Sequence, residues 1–186
     1  MAVKLKTPLN PEDVLDLVVG DVVYLSGTVY TARDAAHRRI LELSGRGELP
    51  FELEGAVIYH CGPVVRRTAG GWEVVSAGPT TSARMNPYLE EMLSLGVKGI
   101  VGKGGMRPEP FVGRGVYFAF TGGAGSLAAM SIKRVLDVLW LDDLGVPEAV
   151  WVFEVRDFPL LVAIDSTGKS LYSEDRLRFR GTSSRS

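Results

Sequence analysis

"WEVVSAGPTTSARMNPYLEEMLSLG", residues 72–96, contains the change of period on which the fold turns. "WEVVSA" alternates as a strand does, while "NPYLEEMLSLG" has helical spacing, with Asn86 as a cap and Pro87 at the first position. A helix begun at Thr80 would carry Pro87 in its interior, at a cost of about 3 kcal/mol. Residues 80–85 are therefore expected to form an irregular loop or a short separate turn. Two readings of "GPTTSARM" stand side by side. One is ordinary turn chemistry. In the other, the hydroxyls of Thr80, Thr81 and Ser82 and free backbone N–H groups lie beside Arg84 and receive a carboxylate or phosphate.

Outward from this stretch, strands and helices mix. "PEDVLDLV" reads as a short helix capped by Asn10, and "VVYLSGTVYTA" as two short runs broken at Ser26-Gly27. "RDAAHRRILELSGRG" has helical spacing and stops at Gly45 and Gly47. "GAVIYHCGPVV" is an apolar strand ending in a turn, and "GGWEVVSAG" the second arm of a hairpin. "SLAAMSIKRVLDVLWLDDLG" reads as one continuous helix, and "AVWVFEV" and "FPLLVAIDSTG" as two closing strands. Antiparallel hairpins mixed with βαβ-like crossovers predict a layered α/β domain. One domain is expected over residues 1–180, followed by a disordered polar tail over 181–186. Glycine-rich turns at Gly78, 102–105 and 122–125 follow strands, where α/β folds collect ligands.

The 186 residues have a formal net charge of −1, which gives no general argument for nucleic acid or an anionic membrane as partner. No apolar run approaches the roughly 18 residues that span a bilayer, and the first residues have no secretion-signal pattern, so a cytoplasmic location is expected. Cys61 is the one cysteine, which excludes an internal disulfide and a cluster ligated by this chain alone.

Arg33 sits where a strand gives way to a helix and Asp34 in the first turn; either this is a surface helix start with Asp34 complementing the helix dipole, or Arg33 points across the strand ends as an anion clamp. His37 follows one turn later. Lys103 in "GIVGKGGM" is either on a flexible turn or presents an ammonium to an anion; the stretch is no P-loop. Gly123, Gly125 and Ala128 match G-x-G-x-x-A, but the helix expected to continue leaves no second strand for a dinucleotide site. These glycines read as close packing or an anion-facing turn. His60 and Cys61, as strand neighbours, point to opposite faces.

"GTVYTARDAAHRR", "YHCGPV", "GPTTSARM", "GKGGM" and "FTGGAGSLAA", in that order, resemble the β subunit of class I iron–sulfur-dependent fumarases and L(+)-tartrate dehydratases. The resemblance spans roughly Leu5 to Arg180. It implies a swivelling β/β/α domain with a mixed sheet that packs over an α subunit bearing a [4Fe–4S] cluster, with no metal held by this chain. It implies a hydro-lyase subunit, inactive alone, acting on a small dicarboxylate: fumarate and malate first, with tartrate as alternative. Arg33, Arg84, Lys103 and Thr81 then correspond to substrate-binding residues, Thr80 to the base, and Asp34 and His37 to supporting residues. A reading from another class is a stand-alone anion-binding module.

Overall fold

The computed structural model describes residues 2–120 and 125–173. Along the chain come β1 (Ala2–Lys6), α1 (Pro11–Leu15), β2 (Val22–Thr31), α2 (Asp34–Gly45), β3 (Val57–Tyr59), β4 (Val64–Thr68) and β5 (Gly71–Ser76). They are followed by α3 (Asn86–Ser94), β6 (Gly99–Gly102), β7 (Val116–Ala119), α4 (Gly125–Ser131), β8 (Ile132–Leu139), α5 (Leu141–Leu144) and β9 (Val150–Ile164). A short 3-10 turn at Ser82–Met85 precedes α3, as the position of Pro87 requires. β4 and β5 form the expected hairpin.

The other strands make one sheet in the order β1-β2-β3-β6-β7-β9-β8. β1, β2, β3, β6 and β7 run parallel to their neighbours, and β9 is antiparallel to β7, β8 and β2. The expected mixed α/β class with a mixed sheet is therefore present. The β2–β9 pairing adds a feature that layering alone does not contain: β2, β3, β6, β7 and β9 close into a five-stranded barrel.

Strand alternation divides the apolar residues between two cores. Val57, Tyr59, Val101, Val116, Phe118 and Val162 join one, together with α1, Trp151 and the hairpin residues Trp72 and Val74. Ile58, Ile100, Tyr117 and Ala163 join the other, with Ala36 and Ile40 of α2 and Leu89, Met92 and Leu93 of α3. Strands buried on both faces read as continuous apolar runs, which is why "GAVIYHC" shows no alternation.

Four expectations change. Asn86 is the first residue of α3 and not its cap: Met85 holds the cap position, and Asn86 Oδ1 accepts from Arg107 N at 3.1 Å. Residues 126–145 are not one helix but α4, β8 and α5. β8 carries two register shifts against β9, between Ile132 and Arg134 and between Val135 and Asp137. Each inserts an extra residue, so the partly buried positions recur at Ile132, Val135 and Val138. A bulged strand thus imitates helical period. "VVYLSGTVYT" is one strand with an irregularity between Leu25 and Gly27, and the two closing runs are the single strand β9, with Asp157 at φ 47°. The dinucleotide pattern fails for a reason of topology: the strand after α4 pairs antiparallel with β9 and makes no parallel crossover. Gly123 lies outside the described residues, as does the tail over 181–186. Gly125 is a close-packing glycine, since a Cβ there would stand 2.3 Å from Ser76 Oγ.

Trp151 is fully buried, donates from Nε1 to Val146 O at 2.9 Å, and meets the Trp72 ring edge-on at 5.2 Å. Trp151→Ala is expected to cost about 3–5 kcal/mol in urea denaturation. Arg134→Ala, which removes only an exposed pair with Glu154 on the same strands, is expected to cost less than about 1 kcal/mol.

Candidate functional site

Because β2, β3 and β6 run parallel, their C-terminal ends emerge on one rim, the usual ligand-binding edge of such sheets. Arg33 follows β2 and begins α2; His60 and Cys61 follow β3; Lys103 follows β6. β3 and β6 stay paired through Tyr59 and Val101, and His60 N still reaches Val101 O at 2.8 Å. Beyond that point the strands part and residues 79–82 fill the gap. Pro79 bridges to Cys61, Thr80 N donates to His60 O at 2.7 Å, Thr81 bridges to Lys103, and Ser82 N donates to Lys103 O at 3.0 Å.

The three hydroxyls of this loop have different fates. Ser82 is fully buried, its Oγ 2.8 Å from His60 Nδ1. Thr81 stands at the start of the 3-10 turn but makes no side-chain capping bond. Thr80 is half-buried and Thr81 exposed, and among the described residues neither hydroxyl has a hydrogen-bond partner. Capping therefore does not account for them. The backbone of the loop is fastened and two hydroxyls are left over.

Three cations share the rim. Arg33 Nε lies 3.5 Å from Glu148 Oε1 with its side chain 27% exposed, yet that nitrogen is buried and makes no hydrogen bond. Glu148 Oε2 instead accepts from Ala35 N at 3.0 Å, caring for the first turn of α2, where Arg33 provides no cap. Gly62 makes space beneath the guanidinium: a Cβ there would come within 3.0 Å of Arg33 Cδ and Nη1. Arg84 Nη2 is 3.0 Å from Asp34 Oδ2, with the Arg84 side chain exposed and that of Asp34 half-buried. Such a pair contributes at most about 1 kcal/mol, so another carboxylate can replace Asp34 at little cost. Lys103 is half-buried, and among the described residues its ammonium makes no ion pair.

Beneath the rim lie two buried imidazoles. His37 donates from Nδ1 to Arg33 O at 2.8 Å, which fixes its tautomer, and stacks on Tyr88 at 5.2 Å. His60 meets His37 edge-on at 5.3 Å. Burial pushes His37 down to about 4 and His60 well below the ordinary histidine value, so both rings are neutral near pH 7. All seven residues singled out in the sequence thus belong to one connected cluster. Two members were missed. Glu148 sits in "VPEAVW", where no motif marks it, and His60 was visible only as the end of a strand.

Cys61 is fully buried and its thiol is pushed up by that burial, the reverse of what a thiolate ligand needs. Among the described residues, no three or more His, Cys, Asp or Glu side chains are grouped to hold a metal ion.

A family model described as fumarase C-terminus matches residues 1–175. The chain belongs to that family. Among curated relatives of this fumarase C-terminus chain, "Putative L(+)-tartrate dehydratase subunit beta" of Methanocaldococcus jannaschii is 51% identical over 173 residues, 89% of each chain. "L(+)-tartrate dehydratase subunit beta" of Escherichia coli K12 is 43% identical over 181 residues, covering 94% of this chain and 89% of the relative. "Putative fumarate hydratase class I" of Geobacillus stearothermophilus is 39% identical over 92% of this chain, which corresponds to 34% of that longer protein. The resemblance carried by the motifs is thereby shown at the level of family.

The buried imidazoles make stability fall on acidification. An unfolded histidine takes its proton near pH 6.5, whereas folded His37 resists until about 4. Between those values the unfolded state binds more protons, so stability is lost as pH drops through this window, by on the order of 3 kcal/mol for His37. His37→Asn keeps an N–H for Arg33 O without a titrating ring. Its stability is expected to decline less than that of the wild type between pH 7 and 5 in urea denaturation.

Proposed function

We propose that this chain is the β subunit of an iron–sulfur-dependent hydro-lyase acting on a four-carbon hydroxy-dicarboxylate. The observation that carries the reading is the rim itself: two arginines, a lysine and two unpartnered threonine hydroxyls gathered around parallel strand ends. Malate and fumarate are the first substrate pair. Tartrate is the second reading, favoured by the names of relatives that align along most of their length. Both substrates offer two carboxylates and a hydroxyl to the same cations.

In this reading Arg33 and Arg84 take the carboxylates. A planar guanidinium meets a carboxylate in two parallel bonds, which sets orientation as well as affinity. Among the described residues no hydrogen bond engages the terminal nitrogens of the partly exposed Arg33 guanidinium, and the partner of Arg84 is replaceable, which leaves donors for that purpose. Lys103 and Thr81 add contacts on the β6 side. Thr80 takes the proton from the carbon next to the carbinol as the double bond forms. A threonine does this only if its alkoxide is stabilised, and the concentration of positive charge on the rim serves that end. Asp34 and His37 support, one by holding Arg84 and the other by fastening the backbone of Arg33.

The departing hydroxyl needs a Lewis acid, which an iron–sulfur cluster on an α partner would supply. The rim would then be one wall of an active site between subunits, with the domain swivelling over the cluster-bearing half. No helix among the described residues is long and apolar enough to cross a membrane. As a stand-alone anion-binding module the same rim would hold a dicarboxylate without turning it over.

Mixing this chain anaerobically with its α partner is expected to give turnover of malate or tartrate, while the chain alone shows neither activity nor cluster absorbance. Dicarboxylate binding without turnover in the mixture would leave the anion-binding module. Arg84→Lys is expected to lower kcat/KM far more than it lowers Tm. Thr80→Val is expected to reduce kcat by about 100- to 10,000-fold with little change in affinity for a competitive dicarboxylate, and Thr81→Val to do much less.

A further inference from the structure

We propose that His60 and Ser82 form a buried positioning pair that holds the Thr80–Thr81 loop and the Lys103 turn together as one unit. The inference rests on the hydro-lyase reading and deepens it by adding residues that act through others.

His60 grips the loop twice. Its carbonyl accepts from Thr80 N at 2.7 Å, and its Nδ1 lies 2.8 Å from Ser82 Oγ. Ser82 then carries the link onward, donating from its backbone N to Lys103 O at 3.0 Å. Thr80 is therefore held at its own amide, and Thr81, itself bridged to Lys103, is the one residue between the two anchored amides. The Lys103 turn is fixed from its other side by Tyr117, whose hydroxyl donates to Gly104 O at 2.9 Å.

The fit around the pair is close. A Cβ on Gly102 would stand 1.7 Å from Ser82 Oγ and 3.3 Å from His60 Nδ1. Even a methyl group there displaces Ser82, so the site needs glycine at 102 although its backbone adopts no left-handed angle. His60 is 1% exposed and Ser82 0%, so neither touches a substrate on the rim. Each is a positioning residue. A buried imidazole that loses this hydroxyl leaves its Nδ1 unsatisfied, which makes the bond between them hard to give up, and the Tyr117 hydroxyl adds a second side-chain contact to Ser82. Within a loop, the result is that two hydroxyls and an ammonium from different strand ends keep a fixed relation.

The test compares Ser82→Ala, His60→Leu and His60→Asn in the full-length chain and in the assembled enzyme. Ser82→Ala removes a single oxygen and keeps the fold; His60→Asn keeps a polar group near the place of Nδ1. Amide hydrogen exchange at Thr80 and Ser82 reads the positioning directly and needs no activity. Exchange at both amides is expected to quicken at least about tenfold in Ser82→Ala and His60→Leu, and to stay near wild type in His60→Asn. In the assembled enzyme kcat is expected to fall by about tenfold or more in the first two variants, with a smaller change in KM and recovery in His60→Asn. Unchanged protection of both amides in Ser82→Ala would overturn the inference whatever the activity. Faster exchange with unaltered kcat would overturn its catalytic half. A wild-type mixture inactive toward malate and tartrate would instead retire the hydro-lyase reading, an outcome visible before any variant is made.

Discussion

The antiparallel pairing of β2 with β9 is the constraint on which the remaining structure depends. Without it the parallel strands would form an open sheet free to fan out. With it, five strands share a ring, and the ends of β2, β3 and β6 are drawn onto one rim. The fit between the long strands is irregular where they must bend. Gly27 interrupts the register of β2 and Asp157 takes a left-handed angle in β9, while Asp157 N is satisfied by Ser26 Oγ at 3.0 Å. Aspartate is among the few side chains that tolerate this angle. A side chain on Gly27 would collide with Thr7 Oγ1, 2.3 Å away, where β1 leads into the first loop. Closure thus depends on two residues chosen for their backbone.

The site is built from interactions of very different strength. Its base is costly to disturb: His37 on Arg33 O and His60 on Ser82 are buried, and half-buried Glu148 holds the start of α2. Its top is weakly held. Arg84 meets Asp34 in solvent, and Arg33 has an ion-pair neighbour but an unbonded Nε. In the proposed reading, a firm base with exchangeable contacts above it would let an incoming carboxylate replace a protein carboxylate without loosening the loop.

Much of this was legible in residues 72–96. Pro87 forbade a helix from Thr80, and the turn before α3 is the consequence. The helix from Asp34, the hairpin and the glycine-marked strand ends were legible for equally local reasons. What was hidden is non-local. Glu148 meets α2 across 113 residues of chain. His60 has its role only because a loop from another part of the sequence lies upon it. β8 was hidden in a different way: its bulges convert the period of two into a period of three, and pairing with β9 then overrides the helical pattern.

Those bulges have an effect at the margin of the molecule. Closing the ring leaves β1 and β8 as the outermost strands, each with one side unpaired among the described residues. An open strand side is a template for fibrous self-association unless something spoils its repeat. On β8 the two extra residues throw the free N–H and C=O groups out of step, and Lys133, Arg134 and Asp137 stand exposed along it. On β1, Lys4 and Lys6 do the same by charge. Sheet extension by a second copy is thereby discouraged at both borders.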